Sequence, residues 1–147
     1  MKCASIYERA GRVFVRSMDK TVAGYYFARD NVAALEVTDT GSIGVALKAA
    51  LEASREGIPI PPRSVMAADA PSALYPAAGV RNWRDFAKGA RSLWIDQADG
   101  QIKLTPWKNE GASGKFVPLK GRDHAILETS SDADLGAAVI AALADAE

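Results

Sequence analysis

Two stretches of the chain carry a helical stripe of apolar residues. Ile43, Ala46, Leu47, Ala50, Leu51 and Ser54 stand at i, i+3, i+4, i+7, i+8 and i+11, and Leu135, Ala138, Val139, Ala142, Leu143 and Ala146 repeat that spacing. Both stretches predict amphipathic helices, the second running from about Asp132 to Ala146. Asp39, Thr40 or Ser42 can cap the first, and Gly57 followed by Pro59 predicts its end. IGVALKAALEASR (43–55) and LGAAVIAALADAE (135–147) share residues at their second, fourth, seventh, eighth and ninth positions. The shared glycines, Gly44 and Gly136, fall in the first turn, where a missing side chain costs little and permits close packing on a neighbour. The echo fits a duplication and a chance likeness of alanine-rich helices equally well.

Elsewhere the pattern shortens to alternation. Residues 12–16 (RVFVR) read as a short strand, and 25–28 and 32–37 read as a hairpin turning at Asp30 and Asn31. Residues 93–96 and 101–105 alternate on either side of Asp99-Gly100, the clearest hairpin signal in the chain. Two more strands are expected at 115–119 and 124–128, and Asn82 can cap a short helix carrying Trp83, Phe86 and Ala87. Residues 57–79 hold five of the seven prolines and read as a loop with one helical turn near 70–75. That length suits a segment packed on the surface or used in binding.

Strands in hairpins, a helix, an irregular loop, a short helix, more strands and a closing helix make an α+β protein. The expectation is a single domain, 1–147, with a largely antiparallel sheet open to a mixed pairing. Two longer amphipathic helices and one or two short ones complete it. A chain of 147 residues buries enough surface for one sizeable core.

Composition changes this picture mainly by exclusion. The lone Cys3 rules out an internal disulfide and a cysteine-based zinc site. The N-terminal region has charges every few residues, and no 18-residue apolar run occurs, so a cytoplasmic protein without a membrane span is expected. Net charge is zero but unevenly placed: residues 123–147 hold six acids and no Lys or Arg, leaving +6 on the rest. Such asymmetry can steer a charged partner, although two of these acids also suit a helix start.

Candidate chemistry is thin. Gly41 and Gly44 satisfy neither a dinucleotide fingerprint nor a P-loop, and the acids of SSDAD before the second helix would repel a phosphate. His124 is the single histidine, so any nucleophile system would have to be built around it. No metal motif is visible, and no cofactor is expected. Residues 81–122 combine nine basic residues with Trp83, Trp94 and Trp107, the ingredients of a nucleic-acid-binding module. Tryptophans in strands and short helices are more often core, however.

Four segments in order resemble a known family: GSIGVALKAALEASREGIP, GVRNWRDFAKGARSLWID, LTPWKNEGASGKFVPLKG and DADLGAAVIAALADAE. Together they are similar to the immunity proteins of bacterial contact-dependent growth inhibition (CDI), across residues 40–147. The resemblance implies a cytosolic, non-catalytic protein that pairs with the C-terminal toxin domain of a cognate surface effector, often a nuclease. It implies neither a small-molecule substrate nor direct nucleic-acid binding. Because a nuclease cleft is cationic, Asp96, Asp99, Asp123 and Glu128 are the candidate contacts, being acids of strands and loops rather than helix ends. Immunity proteins against nucleases are often acidic overall, and this chain is neutral.

Overall fold

The computed structural model describes residues 1–66 and 70–147. Strands β1 (Lys2–Arg9), β2 (Arg12–Thr21) and β3 (Tyr26–Glu36) form a meander that leads into helix α1 (Thr40–Ala53). A short β4 (Glu56–Ile58) and three short helices follow: α2 (Arg63–Met66), α3 (Leu74–Ala78) and α4 (Trp83–Ala87). The chain then makes β5 (Arg91–Ala98), β6 (Gln101–Asn109), a 3-10 turn (Gly111–Ser113), β7 (Phe116–Pro118), β8 (His124–Leu127) and α5 (Asp132–Ala144). One sheet holds all the strands in the order β3-β2-β1-β5-β6, with β7 and β8 both on the far side of β6 and β4 added to β2. The β2–β4 pairing is parallel and every other pairing is antiparallel, as an α+β sheet built from hairpins requires.

The two halves repeat one another. Ala10 and Gly11 turn β1 into β2 with φ of 53° and 76°, and Asp99 and Gly100 turn β5 into β6 with φ of 53° and 78°, the positive pair that a type I′ hairpin needs. Ala4, Ile6, Val13 and Val15 point into the core from the first hairpin, and Leu93, Ile95, Ile102 and Leu104 do so from the second. The third strand closes each hairpin alike: the Val37 amide donates to Gly11 O and the Glu128 amide to Gly100 O, both at 3.0 Å. Asp39 then caps α1 through the Ser42 amide, as Ser131 caps α5 through the Asp134 amide. The strands β1 and β5 lie side by side at the centre of the sheet, so the repeat is arranged about a pseudo-twofold axis.

The helices α1 and α5 cover one face of the sheet and cross at their first turns. A Cβ built on Gly44 would lie 1.9 Å from Asp132 O, and one on Gly136 would lie 1.7 Å from Thr40 O. Both glycines therefore serve the close packing their positions suggested. The principal core lies between these helices and the sheet. On the opposite face, α3 and α4 cover only one end, where Tyr7, Phe14, Leu74, Phe86 and Ala90 form a smaller cluster.

Several expected boundaries move. Residues 25–37 make no hairpin: β3 runs through Asp30 and Asn31, which belong to a bulge where the register with β2 slips from Arg16↔Val32 to Met18↔Ala28. The strand expected at 12–16 extends to Thr21, and β1 was not anticipated. Helix α1 stops at Ser54 rather than Gly57, because the Ser54 hydroxyl turns away to donate to Met18 O at 2.6 Å. Within 57–79 the turn expected near 70–75 appears as α3 at Leu74–Ala78, α2 was not anticipated, and residues 67–69 lie outside the described residues.

Candidate functional site

Alternation along β5 places Trp94 and Asp96 on the face opposite Leu93 and Ile95, where α3 and α4 do not reach. Asp96 is half-buried. Its Oδ1 accepts from Trp94 Nε1 at 2.8 Å and lies 3.5 Å from Cys3 Sγ. Directly across the ladder stands Lys103, whose Nζ is 3.7 Å from Asp123 Oδ2. Asp96 and Asp123 thus flank one lysine, which offsets part of their charge. Asp99 and Glu128 lie elsewhere, near the tip of the β5–β6 hairpin, where the Glu128 amide donates to Gly100 O. Asp99 occupies the turn and makes no side-chain hydrogen bond or ion pair among the described residues. Glu128 Oε2 accepts from Gln97 Nε2 at 3.0 Å. The four acids selected for their sign therefore form two pairs.

The open part of this face also carries an aromatic row. The ring of Trp94 lies 4.8 Å from that of Tyr26 and 6.2 Å from that of Trp107, centroid to centroid. Lys20 sits over Tyr26, and Val22 and Tyr25 are exposed on the adjoining β2–β3 turn, 69% and 60% respectively. Exposed aromatics beside charged groups are the composition of protein-binding surfaces. Tyr26 escaped sequence reasoning because the bulge in β3 broke the alternation that would have assigned its face. Trp83, by contrast, packs against Tyr7, Phe86 and Phe116, and its indole N–H donates to Gly114 O at 2.8 Å. One of the three tryptophans proposed as a base platform is therefore committed to packing.

The titratable groups support no nucleophile. His124 Nε2 lies 2.6 Å from Asp145 Oδ2, and no hydroxyl or thiol among the described residues is hydrogen-bonded to this pair. Burial first, and then the neighbouring Asp96 carboxylate, push the Cys3 thiol up to about 12. Its thiolate is accordingly scarce at neutral pH, and iodoacetamide should label the native protein roughly two to three orders of magnitude more slowly than the urea-unfolded chain. Equal rates would show that β1 separates readily from β2 and β5 around Cys3. Among the described residues no group of three or more His, Cys, Asp or Glu is placed to hold a metal ion, and no helix is long and apolar enough to cross a membrane.

The fold has close counterparts among solved structures. A protein of unknown function from Neisseria meningitidis matches with a TM-score of 0.77 and 17% identity, covering 99% of this chain and 95% of that one. The CdiA-CT/CdiI toxin and immunity complex from Yersinia pseudotuberculosis supplies a chain that matches with a TM-score of 0.76 and 15% identity, covering 99% and 97%. No curated protein sequence matches the chain. At these identities the structures establish the fold, and the family comes from the sequence itself: the family model for CdiI, the CDI immunity proteins, matches residues 2–146. The chain, from β1 to the end of α5, belongs to the CDI immunity protein family.

Proposed function

We propose that this immunity protein forms a heterodimer with the C-terminal toxin domain of a cognate CDI effector, and that the toxin is a nuclease whose active site or substrate access it occludes. The family match over residues 2–146 carries this reading. The Yersinia pseudotuberculosis chain of the same fold belongs to a toxin and immunity complex, which supports a toxin domain as the partner here. Inhibition by occupancy asks only for a stable, complementary surface and needs no catalytic group. The reading assigns contact roles to Asp96, Asp99, Asp123 and Glu128, which would oppose a cationic cleft, with the Tyr26–Trp94 row beside Asp96 as the apolar part of the surface. Toxin and immunity protein would meet in the cytoplasm.

Co-expression with the toxin domain encoded immediately upstream should restore growth, and the two chains should co-purify. No rescue together with no co-purification refutes the pairing. Reversing the four acids to lysine should slow association with the toxin about tenfold or more at low salt and flatten its salt dependence. Unchanged association kinetics would remove these acids from the interface.

A further inference from the structure

The basic segment that suggested nucleic-acid binding gathers three of its cations at one place. Arg81, Arg84 and Lys88 border a cleft of about 720 Å³ between α4 and the 3-10 turn at Gly111–Ser113. All three are exposed, and among the described residues none makes a side-chain hydrogen bond or ion pair. Asp85 is the one acid among the described residues that line the cleft. Lys48, Arg55, Lys103 and Arg122 are paired with Asp132, Asp19, Asp123 and Glu147, and other cations without an ion pair among the described residues, such as Lys108, Lys115 and Lys120, do not line this cleft. What distinguishes Arg81, Arg84 and Lys88 is that all three line a single cleft.

The walls are held in place by hydrogen bonds that leave the cations free. Asn109 Nδ2 donates to Ala87 O at 2.7 Å and Ala90 O at 3.0 Å, and its Oδ1 accepts from the Gly111 amide at 2.9 Å. On the other side Trp83 Nε1 holds Gly114 O. Asn109 thus ties β6, the end of α4 and the 3-10 turn together, fixing the width of the cleft before any ligand arrives. A preformed gap with a +3 rim and one internal acid favours an anionic ligand, and two guanidinium groups favour planar oxyanions held by paired N–H groups. A nucleic-acid strand would also need a ring on which to stack its bases. No aromatic ring is among the described residues that line the cleft, and Trp83, between Asn82 and Arg84 in the chain, is packed into the smaller core and has its indole N–H occupied.

We infer that the cleft between α4 and the Gly111–Ser113 turn is a docking site for an acidic segment of a protein partner, its carboxylates taken by Arg81, Arg84 and Lys88. This rests on the proposed pairing with a toxin domain only in naming the toxin as the source of that segment. The cationic cleft and the Asp96–Asp123 surface would then present opposite charge from separate parts of the molecule, which fixes the orientation of a bound partner more firmly than one patch of either sign.

Titration with a hexaglutamate peptide tests the site without the toxin, with the amide resonances of Gly89, Gly111 and Gly114 as reporters. Saturable shifts are expected. They should weaken about tenfold in the variant carrying Arg81→Ala, Arg84→Ala and Lys88→Ala, and weaken again as salt is raised. The exposure of all three residues predicts an unchanged circular dichroism spectrum. A six-residue oligothymidylate that shifts these amides at lower concentration than the peptide would overturn the assignment in favour of nucleic acid, and the absence of shifts with either ligand would overturn it outright. The triple variant should also bind the toxin domain more weakly, and unchanged affinity would exclude the toxin as the source of the acidic segment. Failure of the wild-type protein to bind the toxin while hexaglutamate binds as expected would refute the toxin pairing and leave the cleft assignment standing.

Discussion

Gly136→Ala is expected to lower the midpoint of thermal unfolding by about 10 °C, corresponding to roughly 3 kcal/mol. The added Cβ would lie 1.7 Å from Thr40 O, in the backbone of the facing helix, where no rotamer change can relieve the overlap. The helices must separate, and their separation loosens Ile43, Leu47, Leu135 and Val139, all at the centre of the main core. Gly44→Ala should behave alike, since its Cβ meets Asp132 O at 1.9 Å. Gly41→Ala is the control: it lies in the same helical turn, its φ is ordinary, and its Cβ meets nothing nearer than Asp39 Oδ1 at 4.0 Å. That substitution should be neutral or slightly stabilising, through the helix preference of alanine and the reduced freedom of the unfolded chain. Calorimetry that ranks the three variants equally would remove the helix crossing as a determinant of stability.

Asp19→Ala is expected to cost about 3 kcal/mol. Asp19 is fully buried at the end of β2, and its carboxylate is shared among three elements. Oδ1 accepts from the Arg55 amide at 2.8 Å, Oδ2 accepts from Arg55 Nη2 at 3.0 Å, and Arg29 Nε in the β3 bulge lies 3.6 Å away. Arg29 in turn donates from Nη1 to Ala53 O at 2.7 Å, at the end of α1. Removing the carboxylate leaves the Arg55 amide without its acceptor and frees both the bulge and the exit from α1. Asp19→Asn should recover only part of the loss, because one oxygen is replaced by an amide nitrogen that can only donate toward a guanidinium. Urea denaturation would test both variants, and full stability in the asparagine variant would show that charge plays no part in the junction.

These two sites differ in how far they could be read from the chain alone. Gly44 and Gly136 sit at matched positions in two stripes of period 3.6, so a packing role could be argued before any contact was known. Their reciprocal partners could not, because which helix lies on which depends on pairings distant in sequence. Asp19 gave no signal at all. It lies in a strand beyond the stretch recognised as β-prone, and its partners are 10 and 36 residues further along the chain.

The strands follow the same division. The Asp99-Gly100 hairpin was legible because its residues suit two consecutive positive φ values. Its counterpart at Ala10-Gly11 adopts the same conformation with alanine in the first position, a residue with no turn preference, and so β1 and the structural repeat stayed hidden. Strand β1 is also buried on both faces in the middle of the sheet, from Cys3 to Tyr7, which removes the polar alternation that marks a half-exposed strand. In β3 the polar Asp30 and Asn31 suggested a turn, and the pairing with β2 converted them into a bulge.

Local chemistry in the sequence by itself determined the two long helices and the cap offered by Asn82, and narrowed the first helix's cap to Asp39, Thr40 or Ser42. It also determined the second hairpin, the α+β class and the order of motifs that marks the CDI immunity family. The helices, caps and hairpin each depend on residues within a few turns of each other, and the class and motif order follow from their succession along the chain. The tertiary structure alone decided which face each charge occupies. It placed Asp96 and Asp123 around Lys103, joined Tyr26 to Trp94, committed Trp83 to the core, and gathered Arg81, Arg84 and Lys88 along a cleft whose opposite wall comes from beyond β6. Charge and aromaticity can be counted along a chain, but a binding surface is set by the long-range strand pairings and helix crossings that bring distant residues to one face.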